Sequence, residues 1–385
     1  MKQIQVKKKG NSTWVGIVVP VGSRDEENRI KGISHFTEHM LFKGTKNRTK
    51  EQIKREMDAY GATLNAYTGE EVTCYWVQID NKYKDKAVDL LTDMVENPVF
   101  DKIELNKERE VIMQELKMYE DNPLYHIWDL SQTSMFPLTS GLGITIIGTK
   151  ESLYKINQEE FKVFHEKYYK NPTLIIVGDI EEDVIDVFQH DVRFAQELKY
   201  SYDTVIKERE GISQACMTVS GVVPFLSHSS ISSCFYLEMM KALCNAFSGR
   251  IFDVIREKNN LVYSTYFTYE LLNCGTIIWS VFAGLDAKNI DKARRLIDEE
   301  LTRPFTSEEV EFSLKKRIGE ISLMVDSTAT YGNRIVKSLN RQIPFQTYNN
   351  DYKLALNDVS YKVNDYQRGM KFNRNKLVAI VPKEK

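Results

Sequence analysis

The sequence predicts an α+β fold made of two copies of one unit. At 385 residues the chain exceeds the size at which a single hydrophobic core keeps growing, so two domains are expected. Apolar strand patterns are mixed with amphipathic helix patterns, which is typical of a sheet layer covered by helices, an α/β-sandwich-type domain. The same order of strands and helices recurs after roughly 200 residues, which indicates a duplicated unit.

The first copy begins with a buried strand at residues 13–21, and a polar, Gly-containing stretch connects it to the first helix. Thr49 and Gln52 form a capping-box pattern that opens a second helix, for which Gly61 provides the stop. The remaining predicted elements are paired strands at 62–66 and 72–79, helices at 84–96, 101–121, 124–135 and 158–169, and a strand at 173–177.

The second copy repeats this order. Its predicted elements are a strand at 217–223, a helix at 231–247, paired strands at 263–269 and 276–283, helices at 288–301 and 307–326, and a strand at 375–381. Residues 193–209 are polar and charged without an apolar period, as expected of a connection between domains. We therefore expect an N-terminal domain at 1–192, a linker at 193–212 and a homologous C-terminal domain at 213–385.

Composition argues against several classes of protein. The 52 basic and 54 acidic residues are well mixed and give a net charge of -2, which favours neither nucleic acid nor a membrane surface. The basic residues of 1–10 are not followed by a signal-peptide core, and no apolar run approaches the ~18 residues of a membrane span. These patterns predict a cytoplasmic protein. Five cysteines without a C-x-x-C pair are predicted to be packed thiols.

The most informative segment is His35-Phe36-Thr37-Glu38-His39, within the predicted first helix. The i, i+4 spacing places both imidazoles on one helix face, with Glu38 beside them. Two neutral imidazoles and a carboxylate suit a catalytic zinc, which takes nitrogen ligands and requires a base for its water. The order H-x-x-E-H is that of an inverted zincin. The alternative is a pair of ordinary histidines on an amphipathic helix whose apolar stripe is Ile33, Phe36 and Met40.

A third protein ligand is needed, because a catalytic zinc site usually has three. The predicted long helix contains Glu108 and Glu115 on one face, seven residues and therefore roughly 10 Å apart along the axis. Both cannot be ligands, and a charge-rich helix can also simply face water. The corresponding first helix of the second copy reads Phe235-Tyr236-Leu237-Glu238-Met239, so only the first half can hold the metal.

The inverted motif, followed about 75 residues later by Glu-Arg-x-Val-Ile-x-x-Glu, resembles the pitrilysin and mitochondrial-processing-peptidase family of zinc metallopeptidases. The resemblance implies that zinc is held by His35, His39 and Glu115, that Glu108 supports the site, and that Glu38 is the catalytic base. It also implies the family's architecture, in which four units of this kind form a clamshell and this chain supplies two.

Further segments extend the resemblance along the chain. Asn65 and Ala66 match the family's strand beside the active site, where an extended substrate adds to the sheet edge. Arg256 and Tyr263 match its Arg/Tyr segment, which implies that they bind substrate carbonyl groups near the zinc. Outside this context, such a pair would be surface and packing residues. Asn260 stands where the family usually has Gly.

Together these observations predict a zinc-dependent endopeptidase that cleaves peptides or unfolded segments inside a closed chamber. The resemblance implies a homodimer or a heterodimer with a related chain, in which Arg256 and Tyr263 face the zinc of the opposite subunit. Because the chain holds both the zinc-site residues and the Arg/Tyr pair, a homodimer is favoured. The alternative is a non-catalytic or partner-dependent peptide-binding or scaffold subunit of the same fold. The natural substrate and cleavage preference stay open.

Overall fold

A computed structural model describes residues 1–185, 198–223, 230–272, 275–324, 326–340, 363–364, 367–368 and 370–383. The strands in this part of the chain are β1 (Lys2–Lys7), β2 (Ser12–Val19), β3 (Thr63–Thr68), β4 (Thr73–Asp80), β5 (Thr173–Gly178), β6 (Val184–Ile185), β7 (Val205–Arg209), β8 (Ala215–Val223), β9 (Val262–Leu271), β10 (Ile277–Leu285) and β11 (Lys376–Pro382). They form two sheets, one in each of two compact units. Sheets covered by helices confirm the predicted α+β class.

The helices, in chain order, are α1 (Ile33–Leu41), α2 (Lys50–Ala59), α3 (Lys84–Glu96), α4 (Lys102–Asp121), α5 (Pro123–Met135), α6 (Lys150–Lys155), α7 (Gln158–Tyr168), α8 (Ser230–Cys244), α9 (Arg250–Phe252), α10 (Ile290–Thr302), α11 (Ser307–Met324) and α12 (Thr328–Asn340). A π-helical turn, Asp253–Lys258, continues α9. The capping box of Thr49 and Gln52 is formed at the start of α2, as predicted. Asp101 accepts hydrogen bonds from two backbone N–H groups at the start of α4.

The sheet of unit 1 has the order β3-β4-β2-β5-β1-β6, which places β3 at one edge. β1 runs parallel to β5, and the other neighbours are antiparallel. β2 and β5 lie in the middle and are almost entirely buried, which explains their near-continuous apolar sequences. Helices α3 and α12 pack against β2.

The sheet of unit 2 has the order β7-β11-β8-β10-β9, which matches the order β1-β5-β2-β4-β3 of unit 1. The parallel pair recurs as well, since β7 runs parallel to β11. The recurrence confirms the duplication predicted from the sequence. β7 lies within residues 193–212, which were expected to be a linker. Its side chains are mostly exposed, so an edge strand formed here without an apolar period, through backbone pairing with β11.

Each sheet is covered in part by a helix from the other half of the sequence. α12, which the sequence interpretation did not predict as a separate helix, packs against β2 and β5 of unit 1, where Gly332 allows close contact with Trp14. α5 packs against β8 and β11 of unit 2, where Ser131 Oγ lies 3.0 Å from Ser220 Oγ. The compact units therefore differ from the expected domains 1–192 and 213–385, because α5 belongs to unit 2 and α12 to unit 1.

The described cysteine side chains agree with the prediction of packed thiols. Cys74, Cys216 and Cys244 are buried and form no disulfide. The side chain of Cys234 and the whole of Cys274 lie outside the described residues. Within the described part of the chain, every helix is too short or too polar to cross a lipid bilayer.

Candidate metal centre

The helix that carries the motif is anchored at its first turn. Gly32 precedes α1 with φ +92°, and its backbone touches that of Gly148 so closely that a Cβ on either residue would collide. The buried carboxylate of Glu26 accepts hydrogen bonds from the backbone N–H groups of Gly32 at 2.9 Å and Ser34 at 2.8 Å. Burial raises the pKa of Glu26 to about 7, although these hydrogen bonds oppose the shift. The anchor fixes the backbone immediately before His35.

Three potential metal ligands converge in unit 1. The imidazoles of His35 and His39 lie edge to face, with ring centroids 4.6 Å apart. Glu115 on α4 faces both rings, with one carboxylate oxygen 3.8 Å from His35 Nε2 and the other 3.6 Å from His39 Nε2. One donor atom from each of the three residues can be chosen so that all lie within 4.8 Å of one another. The structure thus brings together the residues predicted from the motif and the resemblance.

These donors fit a zinc ion. Zinc binds imidazole nitrogen and carboxylate oxygen at roughly 2.0–2.2 Å, so ligand atoms around a tetrahedral ion lie about 3.4 Å from one another. The observed separations of 3.6 and 3.8 Å are close to this value but involve different oxygens of Glu115. One donor atom from each residue lies within 4.8 Å of the others, so the ligands must approach one another by roughly 1 Å to reach tetrahedral spacing. Two histidines and one glutamate form a known donor set of catalytic zinc sites, and this set keeps one coordination position open.

Glu108 contacts the motif helix at His39 and Lys43 and does not lie among the three potential metal ligands. One of its carboxylate oxygens lies 2.8 Å from Nδ1 of His39, and the other lies 2.5 Å from Nζ of Lys43. It is buried and does not face water, in contrast to the solvated alternative considered from the sequence. Burial alone would raise the pKa of Glu108, but His39 and Lys43 outweigh it and lower the pKa. Glu108 therefore contacts the ring nitrogen of His39 opposite the one that faces Glu115.

The protonation of the two histidines differs. Burial, aided by the proximity of His39, lowers the pKa of His35 to about 3, so His35 is neutral at physiological pH. Burial also disfavours a charged His39, but its hydrogen bond to Glu108 and the carboxylates of Glu38 and Glu115 raise its pKa overall. A metal ion that binds here would compete with a proton for His39.

Glu38 lies on the same helix as the histidines and is held by the neighbouring strand. Its carboxylate accepts a hydrogen bond of 2.5 Å from the hydroxyl of Thr68 at the end of β3. Burial raises the pKa of Glu38, whereas the Thr68 hydroxyl and His39 lower it and Glu115 raises it further, with a net increase. A carboxylate with a raised pKa beside a metal site is well suited to accept and return a proton.

The strand that holds Thr68 also contains the predicted substrate-binding residues. Asn65 is exposed and Ala66 is half-buried on β3, and the Asn65 side chain accepts a hydrogen bond from the Ala66 N–H at 2.8 Å. Within the described residues, β3 pairs only with β4 and so forms an edge of the sheet. An edge strand offers backbone groups to which an extended peptide can add.

Arg109 is a structural residue that the sequence interpretation did not single out. Its guanidinium donates hydrogen bonds to the backbone carbonyls of Leu153 at 3.1 Å and Ile156 at 2.6 Å, at the end of α6. It also lies 5.9 Å from the ring centroid of Phe36 in the motif helix. Arg109 therefore connects α4, the helix of Glu115, to α1 and α6. The only indication of its role in the sequence was its position directly after Glu108, a predicted site residue.

Arg256 and Tyr263 lie together in unit 2, whereas the three metal-ligand candidates lie in unit 1. The Arg256 guanidinium lies 5.3 Å from the ring centroid of Tyr263 and 4.7 Å from that of Phe252. Tyr263 is 78% exposed near the start of β9. Asn260, between them, has φ +51°, a left-handed conformation that Asn tolerates better than most residues.

Comparison with known proteins places the chain in a family. Residues 4–149 match the profile of the insulinase family (peptidase family M16), and residues 155–314 match that of the peptidase M16 inactive domain. The "uncharacterized zinc protease YmxG" of Bacillus subtilis is 30% identical over 336 residues, which cover 82% of this chain and 80% of that protein. The chain belongs to the M16 peptidase family. The resemblance noted from the sequence is thereby confirmed.

Other M16 relatives include the beta subunit of the mitochondrial-processing peptidase from Bos taurus, 34% identical over 171 residues, which cover 44% of this chain and 35% of that protein. Among solved structures, a protease from Helicobacter pylori has a TM-score of 0.86 at 18% identity and covers 99% of this chain and 96% of its own. A Pseudomonas fluorescens structure titled as a peptidase M16 inactive domain has a TM-score of 0.84 at 14% identity, with 99% and 95% coverage. These two structures share the M16 fold with this chain.

Proposed function

We propose that this M16 chain is a zinc-dependent endopeptidase that hydrolyses peptides or unfolded segments at the site in unit 1. The observation that carries the proposal is the convergence of His35, His39 and Glu115 beside the buried carboxylate of Glu38. Relatives named zinc proteases support this reaction class. The complete donor set and an intact Glu38 argue against a scaffold that has lost catalysis.

In this proposal each residue of the site has a distinct role. His35, His39 and Glu115 hold the zinc, and Glu108 orients the ring of His39 through its hydrogen bond to Nδ1. When bound, zinc activates a water molecule and polarises the scissile carbonyl. Glu38 accepts the proton of the attacking water and passes it to the amine that leaves when the C–N bond breaks. Such proton transfer contributes about 10²–10⁴-fold to the rate.

The substrate is held through its backbone. A peptide that adds to the free side of β3 places its chain next to Thr68, and therefore next to Glu38, with Asn65 and Ala66 as neighbours. Backbone pairing of this kind requires an extended segment, which favours peptides and unfolded chains over folded proteins. Arg256 and Tyr263 contribute donors for substrate carbonyl oxygens.

We further propose that the active form is a dimer, either of two copies or of this chain with a related one. The catalytic candidates and the Arg256–Tyr263 pair lie in different units, and relatives include a protein named as a beta subunit. In the dimer, the pair from one subunit serves the metal site of the other. Self-pairing is favoured because this chain holds both sets of residues.

The proposal is tested by metal analysis and peptidase assay of the purified full chain, alone and mixed with related chains. The wild type, Glu38→Gln and the control Glu110→Gln, an exposed glutamate on α4, are compared on a quenched peptide library. All three are expected to bind zinc, and only Glu38→Gln is expected to lose nearly all turnover. A zinc-loaded wild type that cleaves no peptide under any of these conditions would support the scaffold alternative and overturn the proposal.

A further inference from the structure

The unit without the histidine motif contains a charged cluster at the place that corresponds to the metal site. α8 follows β8 as α1 follows β2, and the sheets match strand for strand. Aligned on the motif as in the sequence, Glu238 takes the position of Glu38, and Phe235 and Met239 take those of the two histidines. Neither histidine is kept, so the first helix of unit 2 retains only the carboxylate of the motif.

The long helices correspond in the same way. Counted forward from the first residues of α4 and α11, Glu320 takes the position of Glu115, and Arg317 takes that of the buried Ile112. A carboxylate is therefore kept on the long helix at the ligand position. A cationic side chain has been introduced one turn before it, on the face that is buried in unit 1.

The guanidinium of Arg317 joins these two carboxylates. One of its terminal nitrogens lies 2.6 Å from Glu238, and the other lies 2.9 Å from Glu320. Glu238 is 6% exposed and Arg317 is 8% exposed. A cation thus connects α8 to α11 in unit 2, at the place where a metal ion would connect α1 to α4 in unit 1.

The cluster extends to β9, the strand that presents Tyr263. The hydroxyl of Tyr269 on this strand donates a hydrogen bond of 2.5 Å to the second carboxylate oxygen of Glu238. A second tether lies about two turns further along, directly after α8, where the Asn245 side chain donates to the Phe267 carbonyl at 2.9 Å and accepts from the Phe267 N–H at 2.6 Å. Glu238, which contacts Arg317, is therefore one of two side chains that connect β9 to the end of α8.

A buried ion pair is not by itself a stabilising feature, because apolar residues of similar volume often do as well. Its clearest advantage is that charged groups accept few alternative arrangements. We propose that Arg317 substitutes in unit 2 for the metal ion of unit 1, and that with Glu238 it positions β9 so that Tyr263 is presented to the substrate. Arg317 and Glu238 are positioning residues in this account.

The first arm of the test measures thermal unfolding of the full chain with zinc and with EDTA. Arg317→Met and the neutral pair Arg317→Met/Glu238→Gln are compared with Arg295→Met, which removes an exposed arginine whose ion pair with Glu299 spans 3.9 Å. We expect Arg317→Met to lower Tm by the same amount in both conditions, the neutral pair to recover part of the loss, and Arg295→Met to match the wild type. Zinc content should be unchanged in every variant.

The second arm measures kcat/KM on a peptide substrate and rests on the proposed function. We expect Arg317→Met to lower kcat/KM about tenfold through misplacement of β9, and Arg317→Lys to recover part of it. In a protein that already carries Tyr263→Phe, Arg317→Met should lower kcat/KM by less than about twofold, because both substitutions then act through residue 263. If Arg317→Met does not fold, the neutral pair replaces it in each comparison.

Three outcomes would overturn the inference. The first is an unchanged Tm for Arg317→Met, and the second is a loss of zinc from that variant. The third is a double variant, Arg317→Met/Tyr263→Phe, whose loss of kcat/KM equals the product of the two single losses. A merely structural role predicts the multiplied losses. A wild type that hydrolyses no peptide would contradict the proposed function instead. In that case the unfolding arm alone decides whether Arg317 replaces the metal.

Discussion

Nδ1 of His39 lies 2.8 Å from Oε1 of Glu108, while Nε2 of the same ring faces Glu115 at 3.6 Å. The ring is thereby held in the orientation that a metal ligand needs, with one nitrogen bonded to a carboxylate and the other directed at the site. Two glutamates seven residues apart on α4 thus serve two sides of one imidazole. This relationship explains why both carboxylates belong to the site although only one is a candidate ligand.

Replacement of the carboxylate behind His39 should weaken zinc binding. We expect Glu108→Ala to lower zinc affinity by about 10–100-fold, the range found when such supporting partners are removed. Competition with a chromogenic chelator measures the change. Glu110→Ala, which alters an exposed residue on the same helix, should bind zinc like the wild type. Equal affinities for Glu108→Ala and the control would show that the hydrogen bond to His39 does not support the metal.

The hydroxyl of Thr68 should set the acid limb of the pH profile. It lowers the pKa of Glu38 against the burial that raises it, so Thr68→Val should raise that pKa further. Because activity requires ionised Glu38, the acid limb of kcat/KM should move to higher pH while zinc content stays the same. Thr63→Val, an exposed change on the same strand, serves as the control. A limb that stays in place or moves to lower pH contradicts this role.

Mixed chains should reveal whether the site is shared between subunits. Glu38→Gln lacks the base and Arg256→Ala lacks a substrate-binding residue, so each homodimer should be inactive. A mixed dimer contains one metal site with both an intact Glu38 and an intact Arg256 from the opposite chain. Partial recovery of activity on mixing, with a dimer seen by gel filtration, is the expected result. Two inactive variants that stay inactive after demonstrated subunit exchange would exclude a shared site.

The packing of α12 on the sheet of unit 1 should depend on Gly332. A Cβ at Gly332 would collide with the indole of Trp14, so Gly332→Ala should destabilise the protein by about 1–3 kcal/mol. The matched change Gly319→Ala on α11 meets open space and should be neutral or stabilise by about 0.5–1 kcal/mol. Urea unfolding of both variants compares them directly. Equal stability of the two variants would argue against close packing of α12 on β2.

Local patterns in the sequence were sufficient to predict most of the helices and the pairing of the two histidines on one helix face. The spacing of His35 and His39 is a property of one helix, and the capping residues at Thr49 and Asp101 act within one turn. Glu115 could be assigned only through the resemblance, because helix periodicity treats Glu108 and Glu115 alike. The structure separates them by the nitrogen of His39 that each one faces.

Contacts between distant segments could not be predicted in this way. Nothing near Thr68 in the sequence indicates that its hydroxyl reaches Glu38, since the two residues meet only through the packing of α1 on β3. The sequence predicts a helix at 124–135, close to the observed α5, but does not indicate which sheet the helix covers. β7 was missed because an exposed edge strand needs backbone partners more than apolar side chains.

The central claim is that Glu115 completes a zinc site with His35 and His39. Its most direct test is the zinc content and zinc affinity of the purified full chain as wild type, as Glu115→Gln, and as the exposed control Glu110→Gln. The account predicts one tightly bound zinc per chain in the wild type and the control, and loss of that zinc in Glu115→Gln. A wild type that binds no zinc, or a Glu115→Gln variant that binds it with unchanged affinity, would contradict the account.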